Sequence, residues 1–224
     1  MLKLIVVFLF SYLFGSIPFS YLIGKYIKKI DLKKIGSRNP GGSNLFSNTN
    51  LFWGLIGALL DIGKGIFLVI IGKYLKFDGL SINTLIIGTI VGHCWSLFLN
   101  FKGGRGVAAS IGTLLFVYPQ NFGFGFAVGL LVTLLNLFKI HTLSSFILDT
   151  SLGTFVGYLV FILASLVNKQ ENSLLISLIV FVLIIIRRVT EDLSEYRGKG
   201  RFKIFLIRLF YDRNSYYKVP YKFK

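Results

Sequence analysis

The feature that most limits what this chain can become is its succession of long apolar runs with almost no charge. Residues 2–24 carry one charged side chain, Lys3, and residues 80–99 carry none while His93 is neutral. A helix of about twenty such residues is about 30 Å long, the thickness of a bilayer's hydrocarbon core, and in lipid every backbone N–H and C=O must be paired within the segment. The runs are apolar on all sides rather than striped, and 54% of the 224 residues are hydrophobic, more than a soluble domain of this length can bury. The sequence therefore predicts an all-α, polytopic membrane protein of about seven transmembrane or half-membrane helices, at roughly 2–24, 51–75, 80–99, 107–118, 121–138, 143–167 and 173–187. The segment 107–118 is short: as a helix it reaches only about 18 Å. Pro119 follows it. Segments 107–118 and 121–138 are either two short tilted spans or one hairpin that enters and leaves on the same face. Both return the chain to the same side.

The formal net charge is +16, and its placement sets the expected orientation. Six of the 25 Lys and Arg lie in residues 25–38, and eleven more lie from Arg187 onward. Basic loops stay on the cytoplasmic side, which puts the N-terminus outside and loops 25–50, 100–106 and 139–142 and the C-terminus inside. The basic stretches abut hydrophobic spans, which fits anionic membrane lipids as partners and not nucleic acid. Two regions follow: a multi-spanning membrane domain at 1–187 and a basic, aromatic cytoplasmic tail at 188–224. Within the tail, residues 201–211 set Arg201, Lys203 and Arg208 among apolar side chains, a pattern for an interfacial helix with snorkelling cations. The first apolar segment lacks a small-residue cleavage site and reads as the first span rather than a signal peptide. Cys94 is the only cysteine, so no intramolecular disulfide forms. With His93 and His141 far apart in the chain, no metal site is expected, and no cofactor.

Two glycine-rich loops fall on the predicted cytoplasmic face. The first is Gly36-Ser37-Arg38-Asn39-Pro40-Gly41-Gly42-Ser43-Asn44. Its glycines allow tight turns that present N–H groups to an anion. Ser37, Asn39, Ser43 and Asn44 add neutral donors, and Arg38 can grip a phosphate with two. The second is Asn100-Phe101-Lys102-Gly103-Gly104-Arg105-Gly106, running into Val107-Ala108-Ala109. Glycines and cations before a helix start are the arrangement that binds anions at helix N-termini. The spacing is not that of a nucleotide-binding P-loop. His93 lies just before this loop, where a structural role and a substrate-orienting or proton-handling role are both open. Asp61 and Lys64 sit inside the second span at i, i+3, close enough to pair on one face. They either neutralise each other or brace a site.

In these residues the sequence resembles the bacterial glycerol-3-phosphate acyltransferases that use an acyl phosphate as donor. The pieces, in order, are Gly15-Ser16-Ile17-Pro18-Phe19, the first loop from Ile35 to Asn44, Leu60-Asp61-Ile62-Gly63-Lys64-Gly65, and Gly92-His93 through Gly103-Gly104-Arg105-Gly106-Val107-Ala108. The resemblance implies a multi-helix membrane fold over nearly the whole chain. It implies transfer of a fatty acyl group from acyl phosphate to the 1-hydroxyl of glycerol 3-phosphate, giving lysophosphatidate for phospholipid synthesis in the cell (inner) membrane. By the same resemblance Ser37 and His93 belong to the catalytic site. Arg38, Asn39, Gly41, Asn44, Lys102, Gly103, Gly104, Arg105, Gly106 and Thr142 would bind substrate and phosphate, with Asp61 and Lys64 bracing them. Arg105 stands where the family usually has lysine, Ser47 or a neighbour where it carries an arginine, and Arg187-Arg188-Val189-Thr190-Glu191-Asp192 where it has its last motif.

The residues show no Ser-His-Asp constellation, so the acceptor hydroxyl, not the protein, is the expected nucleophile. A divergent paralogue acylating another phosphorylated acceptor is the nearest alternative. An anionic-lipid transporter is the alternative from another class, although transporter sites sit near the midplane between repeated halves and no repeat is visible here.

Overall fold

The computed structural model describes residues 1–139 and 143–190, with side chains described outside 136–151. Thr142, His141 and the 191–224 part of the tail lie outside the described residues. The described part is helical, with no strand: α1 (Leu2–Gly15), α2 (Phe19–Leu22), α3 (Gly42–Asn48), α4 (Leu51–Tyr74), α5 (Gly79–Cys94), α6 (Val107–Val117), α7 (Pro119–Lys139), α8 (Leu143–Val167) and α9 (Glu171–Thr190). Among the described residues, four stretches are long and apolar enough to cross a membrane: Leu2–Ile27, Leu51–Tyr74, Gly79–Leu99 and Glu171–Thr190. Their outward side chains, such as Ile5, Leu9, Leu55, Phe67 and Leu178, are exposed and apolar, as a lipid-facing surface requires.

The first apolar run is not one continuous helix. Pro18 has no N–H and its ring blocks the carbonyl ladder, so the helix stops at Gly15 and resumes at Phe19 before a π-helical turn over Ile23–Ile27. The break leaves carbonyls that must be satisfied inside lipid. The Ser96 hydroxyl donates to the Ser16 carbonyl at 2.6 Å, and the Lys64 ammonium donates to the Ile17 carbonyl at 2.8 Å. The interruption therefore turns backbone polarity toward α4 and α5.

Contacts at the helix ends give the topology. Lys3 pairs with Asp78 at 2.8 Å, joining the starts of α1 and α5. That contact and the Ser81 hydroxyl pull the exposed Asp78 carboxyl down to about 2. Lys73 near the end of α4 donates to the carbonyl of Phe116 near the end of α6. Asn121 near the start of α7 bonds to Asn168, Gln170 and Ser173 at the turn between α8 and α9. These connections share one end of the bundle, so α1, α5, α7 and α9 run away from it and α4, α6 and α8 run toward it. The glycine-rich loops and the end of α9 gather at the other end. The short segment after Gly106 is thus the shorter member of an antiparallel pair, α6 and α7.

Close backbone contact holds the pairs. On α7 and α8, a Cβ at Gly125 would overlap the Gly157 carbonyl, and one at Gly129 the Gly153 carbonyl at 2.5 Å. Two small-x-x-x-small faces thus let these helices touch, the usual source of association energy between helices in lipid. Between α1 and α5, Gly88 and Gly92 meet Ser11 and Tyr12 in the same way. The largest apolar core lies among α5 to α9, around Ile86, Ile90, Leu114, Phe161 and Ile184.

Candidate active site

A cavity of about 220 Å³ opens where the loops converge. Gly41, Gly42 and Ser43, the start of α3, form one wall, and Val107 and Ala108, the first turn of α6, form another. The N–H groups of a first helical turn lack intrahelical partners, and the dipole there is positive, so two such ends facing one space favour an anion. Arg105 and Arg188 add side-chain cations to the wall. Asp61 and Ile62 bring α4 to the cavity about 15 Å along its length from Leu51, so the site is recessed well below the end of the bundle. This depth is why α6, which begins at the cavity, is shorter than a full span.

The first loop is organised from within by Asn44. Its amide donates to the carbonyls of Leu32 and Ile35, and its oxygen accepts from the Ser37 N–H at 2.9 Å and from Asn48. Gly36 has φ +58°, and a Cβ there would overlap both asparagine amides. Asn44 is 1% exposed and engaged on every side, so it shapes the loop rather than facing the cavity. Asn39 does face it: its side-chain oxygen is buried without a hydrogen-bond partner. An unsatisfied buried acceptor is costly unless a ligand completes it. Ser37 is not on the cavity wall among the described residues.

The second loop folds back onto α5. The N–H groups of Gly103 and Gly104 donate to the carbonyls of Cys94 and His93 at 3.1 and 2.9 Å. Their carbonyls accept from one guanidinium: Arg187 Nη2 reaches Gly103 at 2.6 Å and Nε reaches Gly104 at 3.0 Å. These two glycine N–H groups, read from sequence as anion donors, are therefore bonded to protein, and the donors left to the cavity are those of the α6 start. Gly104 packs against the Nε2 end of the His93 ring, where a Cβ would overlap Nε2. Gly106 takes φ +85° and starts α6 in the left-handed region that favours glycine.

The other side of His93 looks toward Asp61, with Nδ1 to Oδ1 at 3.9 Å. Asp61 and Lys64 pair at 3.2 Å. The second Asp61 oxygen accepts from the Ser20 hydroxyl at 2.5 Å, and Lys64 also holds the Ile17 carbonyl. The pair thus ties the Pro18 break, α4 and His93 into one buried polar network.

Of the residues singled out from sequence, Asn39, Gly41, His93, Arg105 and Asp61 meet on this cavity, while Gly103, Gly104, Gly106, Asn44 and Lys64 support it. Arg38 and Lys102 line a different cavity, beside Lys33 and Arg187. Sequence reasoning did not assign roles to Arg187, Arg188, Thr154 or Ser20. The available signal was an adjacent arginine pair closing an otherwise uncharged apolar run. α9 continues through Thr190, three residues beyond its expected end, and carries both arginines inside at 6% and 5% exposure. Thr154 had no local signal, because only the packing of α8 brings it to the wall.

A second, almost wholly apolar cavity of about 190 Å³ lies between α6, α7 and α8. It shares Val107, Ile111 and Thr154 with the first, so the polar and apolar cavities adjoin along these residues. A molecule with an anionic head and an alkyl tail matches the pair. Among the described residues, no group of His, Cys, Asp and Glu is placed to hold a metal ion.

Comparison with known proteins gives the same family by each route. The sequence pattern of the family described as "Glycerol-3-phosphate acyltransferase" matches residues 5–196. A glycerol-3-phosphate acyltransferase of Thermosipho melanesiensis is 37% identical over 172 residues, covering 72% of this chain and 83% of the relative. The crystal structure of PlsY (YgiH), an integral membrane glycerol 3-phosphate acyltransferase, in its glycerol 3-phosphate form superposes with a TM-score of 0.71 at 26% identity, over 90% of this chain and 98% of that one. Its lysophosphatidic acid form superposes with a TM-score of 0.68 at 25% identity, over 91% and 98%.

Proposed function

Because the chain belongs to the glycerol-3-phosphate acyltransferase family and is an integral membrane protein, we propose that it acylates glycerol 3-phosphate at the 1-hydroxyl, with an acyl phosphate as donor, giving lysophosphatidate. The observation that carries this reading is the junction of the two cavities: an anion-favouring pocket that adjoins an apolar slot at Val107, Ile111 and Thr154. The acyl chain lies in the slot and the phosphate-bearing ends lie in the pocket. The positions of the basic loops support a multi-pass arrangement with this pocket facing the cytoplasm.

In the reaction the acceptor's hydroxyl oxygen attacks the acyl carbonyl carbon, the bond from that carbon to the phosphate oxygen breaks, and inorganic phosphate leaves. Asn39 accepts from the glycerol hydroxyls through its unsatisfied oxygen. His93, oriented by Asp61 and Gly104, takes the proton of the attacking hydroxyl. The start of α6 with Arg105, and the start of α3 with Arg188, stabilise the charge that gathers on the carbonyl and the departing phosphate. Holding both heads in one recess converts an encounter of two substrates into a near-attack geometry.

The test incubates the purified chain in detergent micelles with palmitoyl phosphate and glycerol 3-phosphate and looks for lysophosphatidate. Product that requires both substrates supports the reading. Acyl phosphate left intact across a panel of phosphorylated acceptors overturns it.

A further inference from the structure

Tyr158 carries a polar atom that the packing around it does not explain. It lies on α8 one turn after Thr154, on the same face, and lines the apolar slot. Its ring packs among aromatic neighbours, with centroids 6.1 Å from Phe122, 6.3 Å from Phe181 and 6.5 Å from Phe161. A phenylalanine would make every one of these contacts. The residue is 4% exposed, and its hydroxyl oxygen is buried without a hydrogen-bond partner among the described residues. The Ser110 hydroxyl is a neighbour that does not reach hydrogen-bond geometry with it, and donates instead to the Val107 carbonyl at 2.8 Å. An unpaired hydroxyl in an apolar setting opposes folding, so it persists where a ligand completes it.

The direction of the side chain selects the part of the ligand it meets. α8 starts at the loop end of the bundle, and helical side chains lean toward their helix's N-terminus. The ring therefore stands in the slot while the hydroxyl points back toward the polar pocket. It comes close enough to Arg188, on that pocket's wall, to interact with it electrostatically. In an acyl phosphate, the group between the alkyl chain and the phosphate is the carbonyl. With the alkyl chain in the slot and the phosphate in the pocket, that carbonyl lies at the boundary the hydroxyl points to.

We propose that Tyr158 is a catalytic residue of this acyl transfer, donating a hydrogen bond from its phenol to the oxygen of the donor's acyl carbonyl. As the acceptor's hydroxyl oxygen bonds to the carbonyl carbon, an electron pair of the C=O bond moves onto that oxygen, and the Tyr158 O–H holds the growing negative charge. The pair returns as the carbon–oxygen bond to phosphate breaks and phosphate leaves. Tyr158 keeps its own proton throughout. A donor preset in a dry, apolar wall acts more strongly than one in water and needs no reorganisation. The assignment rests on the acyl-phosphate reading above.

The experiment compares the full chain with its Tyr158→Phe variant in detergent micelles. With palmitoyl phosphate and glycerol 3-phosphate, kcat should fall about 100-fold, the loss expected for one oxyanion donor, with KM for both substrates within about threefold. The thermal midpoint should hold or rise, because the variant keeps the ring and removes an unsatisfied group; loss of a structural hydroxyl would lower it. Two inert analogues, titrated by calorimetry, isolate the contact. 2-Oxoheptadecylphosphonate keeps the carbonyl of palmitoyl phosphate, with a methylene in place of the bridging oxygen, and heptadecylphosphonate lacks the carbonyl. Tyr158→Phe should weaken binding of the first about tenfold, as loss of one hydrogen bond does, and leave the second within about twofold. Undiminished turnover, equal weakening of both analogues, or a lowered thermal midpoint overturns the assignment while the acyl-phosphate reading stands. An unaltered chain that forms no lysophosphatidate and binds neither analogue overturns both.

Discussion

Arg187, in the last turn of α9, donates at 2.6 Å to the carbonyl of Gly103, a residue 84 positions earlier in the chain. The same guanidinium holds Gly104 through Nε. One buried arginine thus fixes both glycines of the loop that carries Arg105 and starts α6.

Arg187→Lys keeps the charge but loses the planar fork that spans two carbonyls. Buried charge-assisted hydrogen bonds contribute about 1.5–3 kcal/mol each. The expected outcome is a clear drop in thermal midpoint and at least a tenfold loss of turnover. Arg187→Ala should lose more of both, measured by detergent-phase melting and lysophosphatidate formation. Full activity in Arg187→Ala would separate the loop's geometry from catalysis.

Gly104→Ala places a methyl against the His93 imidazole. The ring or the loop must shift by a few tenths of an ångström or more, and misplacement near 1 Å costs about 100-fold in rate. Turnover should fall by that order while helix content by circular dichroism stays unchanged. A fully active variant would show that His93 and Gly104 need not be in contact.

Asp61→Asn leaves the Lys64 ammonium buried beside a neutral amide. Removing one partner of a buried ion pair costs about 3–5 kcal/mol, whereas removing both with apolar groups of similar volume costs far less. Asp61→Asn combined with Lys64→Met should therefore recover much of the melting temperature lost by Asp61→Asn. Activity should not return, because His93 still lacks its carboxylate neighbour and the Ile17 carbonyl its donor. Recovery of activity as well would make the pair purely structural.

Ile111 stands where the polar pocket meets the apolar slot. Ile111→Trp fills that mouth. Turnover with a sixteen-carbon donor should fall well below turnover with an eight-carbon donor, comparing kcat/KM for the two acyl phosphates. An equal loss with both chain lengths would place the chain elsewhere.

Much of this was legible in the sequence, because lipid imposes one-dimensional rules. An apolar run long enough to span must be a helix, and the Asp61 and Lys64 spacing on that helix fixed their pairing. The glycine-rich loops and their family resemblance were local patterns as well. The boundaries were less legible. Pro18 divides the first run, and nothing in residues 2–24 alone says that Ser96 and Lys64 will satisfy the freed carbonyls. Arg38 and Asn39 are adjacent and read alike as phosphate ligands, yet they face different cavities because the backbone at Arg38 turns through positive φ.

What the sequence determined by itself was the solvent, the helical class, the basic face and the identity of the polar residues available to a site. Those properties follow from composition and short-range spacing. Which groups remain available was decided only by the tertiary structure. The N–H groups of Gly103 and Gly104 bond to α5, Asn44 bonds to its own loop, and Arg187 and Arg188 arrive from the far end of the chain to opposite sides of one segment. Hydrogen-bond capacity is limited, and only long-range packing shows where each donor and acceptor has already been engaged.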